Sequence, residues 1–381
     1  MNTTTEAPIL SAEKSQSKAL DLYLATENVI GQERVRKQMA VILDGQWRVA
    51  QGMDPSQPSG VLLGGFSGTG KTMTARKMCS HLGLPYAETD ATRYAEVGYK
   101  GLQLPQMFIP LLREAARMID DEKATEIQSD KDTDAPAWAP KEKKDPRSDV
   151  FQREDIDEVV ARAETGVVVL DEFDKWMQRV NHFSGQKDTA IQSEFLKMIE
   201  GSHEWVSATD DLEVGATFAT HRVLIICAGA FISLYPIVRA RLHQDTDAKA
   251  QHMDENFWNA IIPEDFERFG LLPELAGRLA RNIFTRPLQA QHMKTILTWP
   301  GGILDYYRRR YEGCGARWDV SDAGVNWLVA EAMHHKTGAR ALDHVAHRML
   351  GGEVLFQAST SEGAVAVRLE PNWPTAKVVL A

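Results

Sequence analysis

Eight residues constrain this chain more than any others: Gly65-Phe66-Ser67-Gly68-Thr69-Gly70-Lys71-Thr72 fit the pattern G-x-x-x-x-G-K-[ST] in full. They follow the short apolar run Val61-Leu62-Leu63 and precede a helical pattern from Lys71 to Leu82. Between a strand and a helix, such a glycine-rich loop lets backbone N–H groups close around an anion at the positive end of the helix. The pattern predicts a nucleotide phosphate site. Gly65, Ser67, Gly68, Thr69 and Gly70 would form its cradle, Lys71 would reach the β- and γ-phosphates of ATP, and the Thr72 hydroxyl would hold Mg2+.

A second motif lies about 100 residues further on. Val167-Val168-Val169-Leu170 reads as a buried strand that delivers Asp171 and Glu172 at its C-terminal end. Asp171 is expected to bind Mg2+, and Glu172 to orient and polarise an attacking water. Val223 to Ile226 gives a further strand; a helical pattern over Glu33–Gly52 precedes the first strand, and those over Lys71–Leu82 and Pro105–Ile119 fall between strands. Strands alternating with helices predict an α/β fold with a parallel sheet covered on both faces.

The character changes after Arg286-Pro287. Four helical patterns (Gln289–Trp299, Ile303–Tyr311, Ser321–His335 and Ala339–Leu350) precede alternating apolar runs at Val365–Leu369 and Val378–Leu380, which suggest a hairpin. The expected organisation is a flexible leader over residues 1–20, an α/β ATPase domain over 21–287, and a small, mostly helical lid over 288–381. Asp121–Asp149 is dense in charge, holds Pro136, Pro140 and Pro146, and has one aromatic, Trp138. Its composition predicts a flexible insertion.

Bulk properties narrow the function classes. A formal net charge of -10 disfavours a protein whose main partner is nucleic acid. Cys79, Cys227 and Cys314 lack metal-ligand spacing, and so few cysteines fit a reducing cytoplasmic compartment. The longest apolar stretch, near Val223–Val238, is interrupted and falls short of the ~18–20 residues of a membrane span. No H-E-x-x-H or G-x-S-x-G pattern points to a protease within this chain.

These motifs, with several others in the same order, resemble the ClpX/HslU branch of AAA+ protein unfoldases, the Clp family ATPases. Val29-Ile30-Gly31-Gln32 is similar to the segment that lies against adenine in that branch, which makes Ile30 a base contact. Leu170-Asp171-Glu172-Phe173-Asp174-Lys175 resembles its hydrolysis motif, with Phe173 in place of the usual Ile. Phe269 to Leu279 resembles the segment carrying an arginine that acts on the neighbouring subunit, here Arg278. Lys336-Thr337-Gly338-Ala339-Arg340 resembles the second sensor, in which Arg340 would touch the γ-phosphate of its own subunit. Gly98-Tyr99-Lys100-Gly101 resembles the loop that grips substrate protein in a central channel, with Lys100 replacing an apolar residue. The resemblance implies a homo-oligomeric ring, expected to be a hexamer, that threads and unfolds substrate proteins and feeds a separate peptidase if one exists.

The likeness thins in places. No cysteine-rich zinc module precedes the ATPase core, and no Ile-Gly-Phe docking loop is recognisable between Phe231 and Pro263. Gln178–Thr189 occupies the place of a second channel loop, with an ordinary surface loop as the competing reading. Two other functions stay open on the sequence: a dedicated activator that remodels one partner complex, and a nucleic-acid motor on the same core.

Overall fold

The computed structural model describes residues 17–58, 60–94, 102–129, 150–178, 189–207, 214–242, 257, 259–279, 281–335, 337–361, 366–372 and 375–380. Its centre is a five-stranded parallel sheet in the order β2-β3-β6-β1-β7, formed by β1 (Val61–Gly64), β2 (Tyr86–Asp90), β3 (Val167–Asp171), β6 (Leu224–Gly229) and β7 (Arg281–Phe284). The three inner strands are buried almost along their whole length, as continuous apolar runs in a two-sided parallel sheet must be. Alternation then sorts their side chains. Leu62, Val168, Leu170, Ile225 and Cys227 enter one core, and Val61, Leu63, Val167, Val169, Leu224, Ile226 and Ala228 enter the other.

Helices α1 (Ala19–Ala25), α2 (Glu33–Ala50) and α3 (Lys71–Leu82) cover the second face, through Leu22, Val35, Met39, Leu43, Ala75 and Met78. The first face is larger. It takes α4 (Ile109–Ser129), α5 (Ile156–Ala163), α6 (Ala190–Glu200), α7 (Leu234–Arg241), α8 (Pro263–Phe269) and α9 (Pro273–Arg278). A hairpin of β4 (His203–Ser207) and β5 (Gly215–Ala219) flanks it.

Residues from Leu288 onward gather around a separate apolar cluster. It is built by α10 (Ala290–Thr298), α11 (Ile303–Gly313), α12 (Asp322–His334), α13 (Arg340–Leu350) and α14 (Gly352–Thr360). A three-stranded sheet closes it, with β8 (Arg317–Trp318) parallel to β9 (Ala366–Asn372) and β10 (Thr375–Leu380) antiparallel to β9.

Two expectations need correction. The predicted leader ends early, because Lys18 N–H donates to Asp44 Oδ1 at 2.6 Å and α1 begins at Ala19. The predicted insertion also begins later than its composition suggests, since α4 runs on to Ser129. Charges of this helix end, from Asp120 onward, are paired across to α5 and the residues before it. Asp120 meets Arg153 at 2.8 Å, Glu122 meets Arg162 at 2.9 Å, and Lys123 meets Asp155 and Glu158 at 2.9 and 3.0 Å. Arg153 and Lys123 hold the Asp155 carboxyl well below the usual carboxylate range. Residues 130–149 lie outside the described residues. Among the described residues no helix is long and apolar enough to cross a membrane.

Candidate nucleotide-binding site

The sheet order places the site. β1 and β3 flank β6, so the loop after β1 and the carboxylates after β3 emerge at the same C-terminal edge, where α/β sheets bind ligands. A cavity of about 500 Å³ opens there. Ile30, Ser67, Gly68, Thr69, Gly70, Lys71, Thr72, Asp171, Glu172 and Arg340 all line it. Ten of the residues singled out in the sequence thus share one cavity.

The loop is held in shape by its own backbone and by β7. Gly65 has φ 132°, and a Cβ there would overlap Thr285 Oγ1. Thr285 N–H donates to Gly64 O at 2.9 Å, and its hydroxyl shares a 2.7 Å hydrogen bond with Thr69 Oγ1. Only glycine allows the first loop residue so close to the neighbouring strand. The Lys71 ammonium donates to Gly65 O at 2.8 Å and Phe66 O at 3.0 Å. Burial pushes its pKa below the ordinary lysine value, while the nearby Asp171 and Asp174 carboxylates offset part of that effect and Arg340 adds to it.

At the end of β3, Asp171 Oδ1 accepts a 2.9 Å hydrogen bond from Glu172 N–H. Glu172 has φ 55°, a conformation that costs a non-glycine residue energy and turns it out of the line of the strand. Asp174 had no role in the sequence reading. It is 3% exposed, lines the cavity, and accepts from Phe231 N–H at 3.2 Å, tying the β3 end to the loop after β6. Phe231 also has positive φ, at 49°. Cys227, next to this loop, is fully buried, and burial pushes its thiol pKa well up, as befits a packed core thiol.

The cavity also has an apolar lining, to which Val29 and Ile30 contribute from the α/β unit and Leu288, Ile296 and Ile303 from the helical unit, surface suited to a flat base. Gln32 spans the same junction. Its amide donates to Arg286 O at 2.8 Å and accepts from Arg286 N–H at 2.9 Å, with the side chain 2% exposed. Nothing local in the sequence signals this clamp, since its partners lie 254 positions apart. Gln32→Leu removes the partner of both backbone groups, and urea unfolding is expected to show a loss of about 1–3 kcal/mol. Unchanged stability would rule out the clamp.

Arg278 stands apart from this cavity. It ends α9, is exposed, and pairs with Glu200 at 2.9 Å. Gly98-Tyr99-Lys100-Gly101 lies outside the described residues, as do most of the second candidate loop and residues 243–256 and 258 of the Phe231–Pro263 segment. Thr72 and Asp171 both line the cavity and offer hard oxygen donors, which fit Mg2+.

Comparison with known proteins agrees with this geometry. The family model described as AAA domain (Cdc48 subfamily) matches residues 57–281, more than half of the chain. The chain is 26% identical over 363 residues to the ATP-dependent Clp protease ATP-binding subunit ClpX of Azotobacter vinelandii, covering 88% of this chain and 72% of that protein. To the ClpX subunit of Borrelia duttonii it is 25% identical over 372 residues, 93% of this chain and 76% of that one. To that of Bacteroides thetaiotaomicron it is 26% identical over 361 residues, 89% and 75% respectively.

Proposed function

As the chain belongs to the AAA domain (Cdc48 subfamily) family and is a divergent ClpX-like ATPase, we propose that it turns ATP hydrolysis into the unfolding or remodelling of other proteins. The observation that carries the reading is the single cavity in which Ser67 to Thr72 of the phosphate loop, the Asp171–Glu172 pair and an arginine from the helical lid converge, with Gly65 outside its lining. Lys71 and the loop N–H groups would hold the β- and γ-phosphates. Thr72 and Asp171 would hold Mg2+, which, when bound, neutralises charge on the phosphate oxygens. Glu172 would take a proton from the attacking water, and Arg340 would report the γ-phosphate to the lid.

Completing the site requires a second subunit. Arg278 is exposed and away from its own cavity, so its guanidinium is available to the nucleotide of a neighbour in a ring, which we take to be a hexamer. Tyr99, with Lys100 beside it, would contact the threaded polypeptide. An aromatic side chain between glycines offers a large contact that tolerates any sequence. A peptidase partner is compatible with this reading and is not required by it.

The test is a trap experiment. Glu172→Gln with ATP is expected to retain substrate proteins that Glu172→Gln/Tyr99→Ala loses, as read by mass spectrometry of captured material. Equal capture by both variants would remove Tyr99 from the gripping role. Capture dominated by nucleic acid would overturn protein remodelling.

A further inference from the structure

The lid meets the phosphate loop backbone to backbone. Ala339 N–H donates to Gly68 O at 3.0 Å, and the Arg340 guanidinium donates to Ser67 Oγ at 3.2 Å. No side chain separates the two segments. A Cβ on Gly338 would stand 2.5 Å from Ser67 O and 3.0 Å from Gly68 C and O, while one on Gly68 would overlap Thr337 O. Both glycines have positive φ, 59° at Gly338 and 71° at Gly68. Two residues without a Cβ, one in each domain, are what allow this approach.

We infer that the Gly68–Gly338 contact is a latch that sets how long nucleotide stays bound, with Gly338 and Ala339 acting as positioning residues. The inference rests on the nucleotide reading of the cavity. The turn from Thr337 to Arg340 packs against the phosphate loop, and its Ala339 and Arg340 line the same cavity as Ser67 to Thr72. Phosphates cradled by Ser67 to Thr72 therefore leave more readily once the turn lifts from Gly68. Lid opening of this kind sets product release in many enzymes. Loss of the latch accelerates departure and does not slow arrival, which uses the same opening.

Two variants break the latch by different means. Gly338→Ala places a methyl group against Ser67 and Gly68. Ala339→Pro deletes the donating N–H at a residue whose φ of −61° proline adopts. Gly315→Ala is the control for backbone strain alone: it lies in the same helical unit with φ 80°, and an added Cβ meets nothing within 4 Å. Release of fluorescent mant-ADP would be followed by stopped flow in each purified full-length protein. Gly338→Ala and Ala339→Pro are expected to release it about 10-fold faster than wild type, as loss of one hydrogen bond implies. Gly315→Ala is expected to match wild type. Wild-type release rates in both latch variants, or equal acceleration in Gly315→Ala, would overturn the latch while leaving the nucleotide site intact. Failure of the wild-type protein to bind mant-ADP would overturn the nucleotide reading and the latch with it.

Discussion

Glu172→Gln should lower ATP turnover about 100- to 1,000-fold and leave ATP affinity within about twofold of wild type. General base catalysis contributes about 10²–10⁴-fold, and an amide cannot accept the proton that a carboxylate takes from water. The position supports a large effect. Glu172 follows the last residue of β3, shares the cavity with Lys71 and Asp171, and is held at φ 55°. Glutamine keeps the size of the side chain and leaves the phosphate loop untouched, so binding persists. Phosphate release and mant-ATP titration on the same preparation separate the two effects. Turnover near the wild-type rate would take the base role away from Glu172.

Arg278→Ala is expected to do comparable or greater damage by a different route. An arginine supplied to another subunit's γ-phosphate is worth about 10³–10⁵ in turnover. Arg278 does not line the cavity of its own chain, so ATP binding by each isolated subunit should be unaffected. Its partner here, Glu200, is 44% exposed, and an ion pair that open to solvent is too weak to oppose transfer to a phosphate. The decisive measurement is mixing. Arg278→Ala subunits keep Glu172, and Glu172→Gln subunits keep Arg278, so the two inactive proteins should together recover part of the wild-type activity. Absence of recovery in assemblies shown to be mixed would sink the shared-site reading.

The parts of the fold legible in the sequence were those with dense local signals. β1, β3 and β6 are continuous apolar runs, and the phosphate loop carries its glycines and lysine within eight positions. β2 was missed because Tyr-Ala-Glu-Thr-Asp, at the sheet edge, is only partly buried and carries two acids. β7 was missed because four residues led by Arg281 give too short a pattern, although the strand completes the sheet beside β1. The end of α4 was hidden by a composition argument that counted charges without pairing them. Within the site, the sequence marked the groups with chemistry and missed those that position them. Asp174, Thr285 and the Gln32–Arg286 clamp acquire meaning only from long-range contacts.

The passage from β7 to α10 bears on what the lid can do. Residues 285–289 alone join the sheet to the lid, with Thr285 hydrogen-bonded to the phosphate loop and Arg286 gripped by Gln32. Even fully extended, a strap of that length reaches only about 17 Å, and its first two residues are already fastened. The lid can therefore tilt about its root but cannot travel. If such subunits work as the ring proposed above, long displacement of a captured chain has to accumulate from many small rotations, each about as large as a short tether permits.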